Sequence, residues 1–127
     1  MFTQRIGTLH LELSNFKVIS ASPYNATRND CILLVDTSGG SIDINLTKEV
    51  THHGHILIIK DVSGQAGTNF INVIVDVPDH IDGIQGNTYV IDYNYGCITL
   101  VRDRDITHDL ANSPQASGWW IISQFRQ

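Results

Sequence analysis

The amino-acid sequence predicts an all-β protein: a single antiparallel β-sandwich, jelly-roll-like, with about eight to nine strands. Apolar residues recur at every second position in short runs, which is the period of a half-buried strand. The runs break at Gly, Asn, Asp and Ser, the residues that favour tight turns. No helical period persists for three turns. These patterns predict strands joined by turns around one core.

The first half of the chain is expected to hold four strands. Residues 7–20 form the N-terminal strand and, past a bend, its continuation, because leucine alternates with polar residues over 9–13. Residues 31–35 are apolar on both faces and are therefore expected to be central. The glycine-containing turn 36–40 is expected to join them as a hairpin to 41–46, where every second residue is apolar.

The second half is expected to supply the remaining strands. Residues 56–59 form an apolar core run, and 71–77 alternate apolar and polar side chains up to a proline. Residues 89–93 alternate again, and a turn leads from them into the apolar run 97–101. Residues 119–123 end the pattern as an aromatic strand.

Residues 102–117 interrupt this regular spacing. They are polar and contain Asn-Ser-Pro, and they are longer than a hairpin loop requires. Functional contacts usually lie on loops held by a rigid scaffold. We therefore expect 102–117, together with the turn-rich segments 63–69 and 79–86, to carry intermolecular contacts.

Length and composition indicate one domain over 1–127, with an N-terminal strand at 7–20 and a core module at 24–123. A chain of 127 residues buries a core without metals or disulfides. Charged residues make up 17%, below the usual 25% or so, and self-assembly is one way to cover the uncharged surface. The net charge of −5 and the scattered Lys and Arg argue against nucleic-acid and anionic-membrane partners.

Cys31 and Cys97 lie in apolar runs and are expected to be buried free thiols, although the sequence leaves a disulfide open. The N-terminus lacks the apolar stretch of a signal peptide, and no run approaches the length of a membrane span. Synthesis in a cytosol without membrane insertion is therefore expected.

His53 and His55 belong to the only cluster of metal-ligand type, and in an extended segment they point to the same side. Two imidazoles fall short of the three or four ligands that zinc takes, unless three chains meet on an axis. Histidine-rich turns are also common as solvated connections. We expect no metal and no cofactor, with these two residues as weak metal candidates.

Five residues are candidates for an interface or a ligand contact: Tyr93, Tyr95, Trp120, Asp105 and His108. Adjacent tryptophans in a strand point to opposite faces, so one is expected in the core and the other at a surface or interface. The tyrosines and an exposed tryptophan would also suit stacking on a sugar ring.

Catalytic residues are not expected. The chain has no nucleophile elbow, no oriented Cys–His pair and no phosphate loop. A trimeric β nucleotidohydrolase, which also places Ile-Asp-Gly near a sheet end, is the enzymatic alternative, but its phosphate-binding and aromatic C-terminal motifs are missing. The sequence therefore predicts a protein that is not an enzyme.

Several segments together resemble a recurring β module. They are ILLVDTSGGSIDINL (32–46), GHILIIKDVSG (54–64), TN (68–69), IDG (81–83), NYG (94–96) and GWWIIS (118–123). In this order, over about 24–123, they resemble modules of virion proteins: tail-fibre and tail-spike segments of tailed phages, and capsid-associated proteins of large DNA viruses. The histidine-rich connection before residue 56 and the long segment 102–117 depart from that pattern.

The resemblance implies a non-enzymatic virion structural protein: a capsid vertex or decoration protein, a minor capsid protein or a fibre component. It implies a symmetric homo-oligomer, a trimer or pentamer, in contact with other capsid or tail proteins. The expected location is the virion, after synthesis in the host cytoplasm. The alternative is a carbohydrate- or receptor-binding β-sandwich module on a virus particle, with a glycan as ligand.

Overall fold

The computed structural model describes residues 16–47, 53–104 and 117–126. Within these ranges the protein forms eleven β-strands and no helix, which confirms the all-β prediction. The strands are β1 (Phe16–Ile19), β2 (Tyr24–Asn25), β3 (Ile32–Val35), β4 (Ile42–Leu46), β5 (Ile56–Asp61), β6 (Ile71–Val75), β7 (His80–Ile81), β8 (Ile84–Gln85), β9 (Thr88–Ile91), β10 (Cys97–Asp103) and β11 (Gly118–Phe125).

The described strands form two sheets. The larger sheet has seven strands in the order β1-β3-β5-β10-β11-β7-β8, and the smaller has four in the order β2-β4-β6-β9. From β1 to β6 the chain alternates between the sheets, and each strand lies parallel to the preceding strand of its own sheet. The chain therefore winds around the core as a coil. β9, β10 and β11 then pair antiparallel with β6, β5 and β10.

The predicted antiparallel arrangement is wrong for the first half of the fold. The sequence predicts a hairpin of 31–35 and 41–46, but β3 lies in the larger sheet and β4 in the smaller. The turn 36–40 carries the chain from one sheet to the other. Alternation of apolar residues reports which face of a strand is buried, and this pattern is the same for parallel and antiparallel neighbours. The parallel pairs also differ from a jelly roll, whose strands are antiparallel.

The described residues contain more strands than the eight to nine predicted, because three strands are very short. β2, β7 and β8 have two residues each. β7 and β8 pair as a tight hairpin inside 79–86, where the sequence predicts only turns. Of the predicted N-terminal strand, residues 16–19 form β1, and residues 7–15 lie outside the described part of the chain.

The core lies between the sheets and consists of every second side chain of the central strands. Ile42, Ile44 and Leu46 of β4 point inward, as their alternation predicts. The other buried side chains of the central strands are Leu33, Val35, Leu57, Ile59, Ile71, Val73, Val75, Ile98 and Leu100. Trp119 is wholly buried at one end of this core, with the Arg102 guanidinium 5.5 Å from its ring centroid.

Candidate assembly face

The outer surface of the larger sheet is mostly apolar across five neighbouring strands. Successive side chains of a strand alternate between its faces, so the residues between the buried ones point away from the core. The register sets them in rows, with Ile32 beside Ile58 and Ile58 beside Thr99. We call this surface the outer face. Its members are Phe16, Val18, Ile32, Leu34, Ile56, Ile58, Lys60, Cys97, Thr99, Val101, Trp120, Ser123 and Phe125.

Much of the outer face is open to solvent. Phe16 and Val18 on the edge strand β1 are 59% and 62% exposed, and Phe125 on β11 is 49% exposed. Ile32 and Ile58 at its centre are half-buried by their neighbours. Strands lie about 4.8 Å apart, so five strands and about five residues along each give roughly 350–400 Å² in projection. Contiguous apolar patches of this size on soluble proteins often mark interaction sites.

The smaller sheet presents a different outer surface. Asn45 Nδ2 donates a hydrogen bond to Asn25 Oδ1 at 2.9 Å, and Asn72 Nδ2 donates to Asp43 Oδ1 at 2.9 Å. Apolar side chains such as Ile74 stand between these pairs. Amide and carboxylate groups keep this surface hydrated. The two outer surfaces therefore differ in polarity, and that of the larger sheet is the more apolar one.

Lys60 is the one charged member of the outer face, and it lies at the end of β5. Its Nζ donates to the backbone oxygen of Tyr95 at 2.5 Å. The same ammonium lies 5.8 Å from the Tyr95 ring centroid and 5.5 Å from that of Phe125. These partners hold the charge at the margin of the outer face, so its centre is uncharged.

At the opposite end, three residues on the outer side of the larger sheet form what we call the end cluster: His80, Asp103 and Trp120. The indole Nε1 of Trp120 donates to Asp103 Oδ2 at 2.9 Å. The His80 ring packs against the Trp120 ring at a centroid distance of 4.8 Å. His80 is wholly buried and Asp103 is 6% exposed. The end cluster thus joins a buried histidine to an aromatic member of the outer face.

On the core side of the same end, an ion pair fixes the start of β11. Arg102 Nη1 donates to Asp79 Oδ2 at 3.1 Å and to the Gly118 carbonyl at 3.4 Å. Ser117 Oγ donates to Asp79 Oδ1 at 2.7 Å. Arg102 is only 4% exposed, so the pair ties β10, β11 and the turn before β7 together in a shielded place.

The loop that carries Tyr95 is held by a wholly buried carboxylate. Asp61 Oδ2 accepts hydrogen bonds from the backbone N–H of Tyr95 at 2.9 Å and of Ala66 at 3.1 Å. Its Oδ1 accepts from the Ser63 N–H and hydroxyl. Burial raises the pKa of Asp61, but these hydrogen bonds outweigh that effect and hold the pKa below its ordinary value. The ionised Asp61 carboxylate therefore links the loop 63–69 to the loop that carries Tyr95 through hydrogen bonds.

The three aromatic contact candidates lie in different places. Tyr93 is in the core at 7% exposure, beneath the Arg126 guanidinium at 4.8 Å, and burial raises the pKa of its hydroxyl. Tyr95 is 46% exposed and lies just before Cys97, the first residue of β10. Trp120 is on the outer face beside Val101. Val101 lies four residues after Cys97, which is about 13 Å along β10. These side chains do not form one sugar-stacking platform.

The other two contact candidates, Asp105 and His108, lie outside the described residues. Within the predicted contact loop 79–86, Ile84 is 51% exposed. The loop 63–69 is anchored instead, because Ala66 is wholly buried and bonded to Asp61. That these loops carry intermolecular contacts stays a prediction.

His53 and His55 have separate partners. His53 Nδ1 accepts the backbone N–H of Arg104 at 3.1 Å and lies 4.0 Å from Asp103 Oδ1. The His55 Nε2 lies 2.6 Å from the Asp30 carbonyl, and its ring meets Trp119 edge-on at 6.3 Å. Each imidazole thus has its own contacts with protein groups, and the two rings are not directed at a common metal position.

Both cysteines are half-buried, and neither forms a disulfide. Cys97 belongs to the outer face, opposite Lys60 on one side and Phe125 on the other. Burial raises the pKa of the Cys97 thiol, and the nearby Lys60 opposes this only in part. The raised pKa keeps the Cys97 thiol mostly protonated, and therefore slow rather than inert as a nucleophile.

Two other kinds of site are absent from the part of the chain that the structure describes. No three His, Cys, Asp or Glu residues in 16–47, 53–104 and 117–126 are grouped to hold a metal ion. No helix in those residues has the length and apolar character needed to cross a membrane. A scan against models of protein families finds no match for the chain, and no curated protein matches it.

Sequence reasoning names Trp120 as a contact candidate, but it names neither the aliphatic residues of the outer face nor His80. A signal for the face was present, because residues 31–35 and 56–59 are apolar at every position. Such runs predict cover on both sides, and here the second side is open rather than inside the fold. His80 stands alone in a turn-rich segment, where no periodicity marks it.

Proposed function

We propose that this chain is a non-enzymatic structural protein of a virus particle, a two-sheet β-sandwich that assembles as a symmetric trimer or pentamer through its outer face. The observation that carries the proposal is the contrast between the two sheets: one outer surface bears paired amide and carboxylate groups, and the other is apolar over five strands. The resemblance to virion β modules supplies the virus particle, its capsid or tail proteins as partners, and synthesis in the host cytoplasm.

A second copy of the chain is the occupant that the charges favour. In a ring of three or five copies the contact is heterologous, so the outer face of one copy meets a different surface of its neighbour. An uncharged face meets no like charge on that surface, so it can pack there without repulsion. The one lysine of the outer face is held at the margin by Tyr95 and Phe125. Among the described residues, no aspartate is a member of this surface.

The outer face alone is smaller than a standard protein–protein interface. Its projection of roughly 350–400 Å² is about half of the 800 Å² or so that each partner buries in a standard interface. Additional contacts have to come from residues at its border. The exposed edge strand β1 is placed to supply them, and the sequence predicts further contacts from the segment 102–117.

The test compares two matched isoleucines. Ile58 lies at the centre of the outer face, and Ile74 lies at the centre of the smaller sheet's outer surface; both are half-buried on central strands. We expect light scattering across a dilution series to give a trimer or pentamer for the unmodified chain. Ile58→Asp should raise the dissociation constant at least tenfold or so, because it buries a charge in the contact. Ile74→Asp should leave it unchanged.

Three results would contradict the proposal. A monomer at every concentration would remove the homo-oligomer, and equal effects of Ile58→Asp and Ile74→Asp would remove the outer face as its contact. Turnover of a nucleotide or sugar by the purified chain would remove the non-enzymatic role. Thermal unfolding of both variants controls for loss of the fold.

A further inference from the structure

His80 occupies an unusual place on the outer side of the larger sheet. It is wholly buried although it belongs to the two-residue strand β7. Its neighbour across the strand pair is Gly118, where a Cβ would lie 2.5 Å from the imidazole. Trp120 covers the ring from the other side at 4.8 Å. The imidazole therefore fills a space made by the missing side chain of residue 118.

The hydrogen bond of His80 sets its protonation state. Its Nδ1 accepts the backbone N–H of Gly83 at 3.0 Å, so this nitrogen carries no proton. Its Nε2 is buried and has no hydrogen-bond partner among the described residues. The ring is thus neutral. A second proton can be added only at Nδ1, where it breaks the bond to Gly83 and places a charge in the shielded space.

The charged groups around the ring act in both directions. Asp79 and Asp82 flank it in sequence, and the charges on β10 are Asp103, on the same side of the sheet, and Arg102, on the core side. Burial is the largest influence and lowers the pKa of His80, and Arg102 lowers it further. The three carboxylates raise it without reversing the shift. Two of them are engaged elsewhere, Asp79 by Arg102 and Asp103 by Trp120.

We propose that His80 is an acid-sensitive lock on the outer face: its protonation, as the pH falls below about 6.5, opens the β7–β8 hairpin, displaces Trp120 and weakens the contact between copies. The inference rests on the proposed function, because it concerns regulation of the same face. Between the lowered folded value and the ordinary value near 6.5, the unfolded or opened state binds more protons. The closed state is therefore fully favoured above that range and loses its advantage as the pH falls through it.

The bond from Gly83 to His80 is one of several contacts that hold the hairpin. β7 pairs with β11 over two residues and with β8 over two. The Asp82 N–H donates to the Trp119 carbonyl at 2.9 Å, and the Asp82 carboxylate accepts the Ile121 N–H at 2.8 Å. The Gly83–His80 bond differs from these contacts because its acceptor is an imidazole, the side chain that gains its charge nearest to neutral pH.

The first experiment measures the dissociation constant between copies at pH 7.5 and 5.0, at one ionic strength. We expect the unmodified chain to associate at least about threefold more weakly at pH 5.0. His80→Asn should lose this pH dependence, because an amide oxygen still accepts the Gly83 N–H but does not titrate in this range. His53→Asn, at the exposed histidine, should keep it. Association independent of pH, or an unchanged response in His80→Asn, would overturn the inference.

Hydrogen exchange of the unmodified chain provides a second measurement that does not depend on a variant folding. After correction for the intrinsic pH dependence, exchange over residues 80–86 should be faster at pH 5.0 than at pH 7.5, while β5 stays protected. Equal protection at both values would overturn the lock. If the chain is a monomer at both pH values, the proposed function fails, and the exchange measurement still decides the role of His80.

Discussion

Gly64 lies directly beneath the side chain of Tyr95: a Cβ at residue 64 would come within 2.5 Å of the ring carbon Cζ. The backbone of Gly64 also has a φ of +75°, in the left-handed region. The ring and the backbone conformation together require glycine at this position. The contact sets the height of the Tyr95 ring beside Lys60, at the margin of the outer face.

Gly64→Ala should destabilise the protein by about 1–3 kcal/mol, from the left-handed backbone and the displaced ring. Urea unfolding measures the change. Gly39→Ala is the control, because nothing lies within 4 Å of a Cβ there. In a Tyr95→Ala background, Gly64→Ala should no longer lose stability through a clash with the ring. It should still lose stability through the left-handed backbone at residue 64. An equal cost in both backgrounds would show that the ring contact contributes nothing.

Asp61→Asn should cost about 2–4 kcal/mol, because the carboxylate accepts four hydrogen bonds and an amide NH₂ can accept none of the two at its position. Chemical denaturation gives the difference in the free energy of unfolding. The matched control is Asp92→Asn, whose pair with Arg126 is on the surface and should contribute less than about 1 kcal/mol. Similar losses of unfolding free energy in the two variants would contradict a stabilising role of the buried Asp61 hydrogen bonds.

The same carboxylate predicts an acid limb of stability. The folded pKa of Asp61 is lowered from its ordinary value near 3.9, so its stabilisation is fully present above that pH. It is lost as the pH falls through the folded value, since the unfolded state then binds more protons. The stability gap between the unmodified chain and Asp61→Asn should therefore narrow below about pH 4. A gap that is constant down to pH 2 would contradict this.

Lys60→Met should strengthen self-association several-fold, because the stem is kept and the only charge of the outer face is removed. Sedimentation over a dilution series measures the dissociation constant. Arg28→Met, which removes an exposed charge outside the face, should have little effect. Weaker association of Lys60→Met would mean that the ammonium binds a carboxylate of the neighbouring copy.

Cys97 offers a chemical readout of the contact. In a Cys31→Ser background, alkylation of Cys97 should slow as the protein concentration passes through the range of assembly, because the second copy covers the thiol. Ile58→Asp should restore the rate seen in dilute solution. A rate that does not change with concentration would place the contact elsewhere.

The burial faces of the strands were predictable because they depend on a local rule. Ile42, Ile44 and Leu46 alternate with the polar residues Asp43 and Asn45, and all three apolar side chains point into the core. Tyr93 follows the same period as Ile91 and is buried with it at 7% exposure, although the sequence makes Tyr93 a candidate for an interface or a ligand contact. Each prediction needs only the two-residue period of a strand and one buried side.

Strand partners were not predictable from that rule. Ile32 lies beside Ile58 in a parallel pair, not opposite a residue of the next strand in sequence. The turn at 36–40 has the glycines of a hairpin turn, yet it joins two sheets. Long-range pairing depends on how the whole core is enclosed, which a single run of residues does not encode. His80 depends in the same way on Gly118, a residue far along the chain.

The coiled path from β1 to β6 also determines the order in which the chain can build itself during synthesis. Each of β3 to β6 pairs with a strand that the ribosome has already released, so each turn can settle on the preceding one as it emerges. The centre of the larger sheet, by contrast, stays open until β10 arrives beside β5. Long-range pairing of this kind slows folding. Translation pauses before β10 should therefore prolong the exposure of the nascent apolar surface.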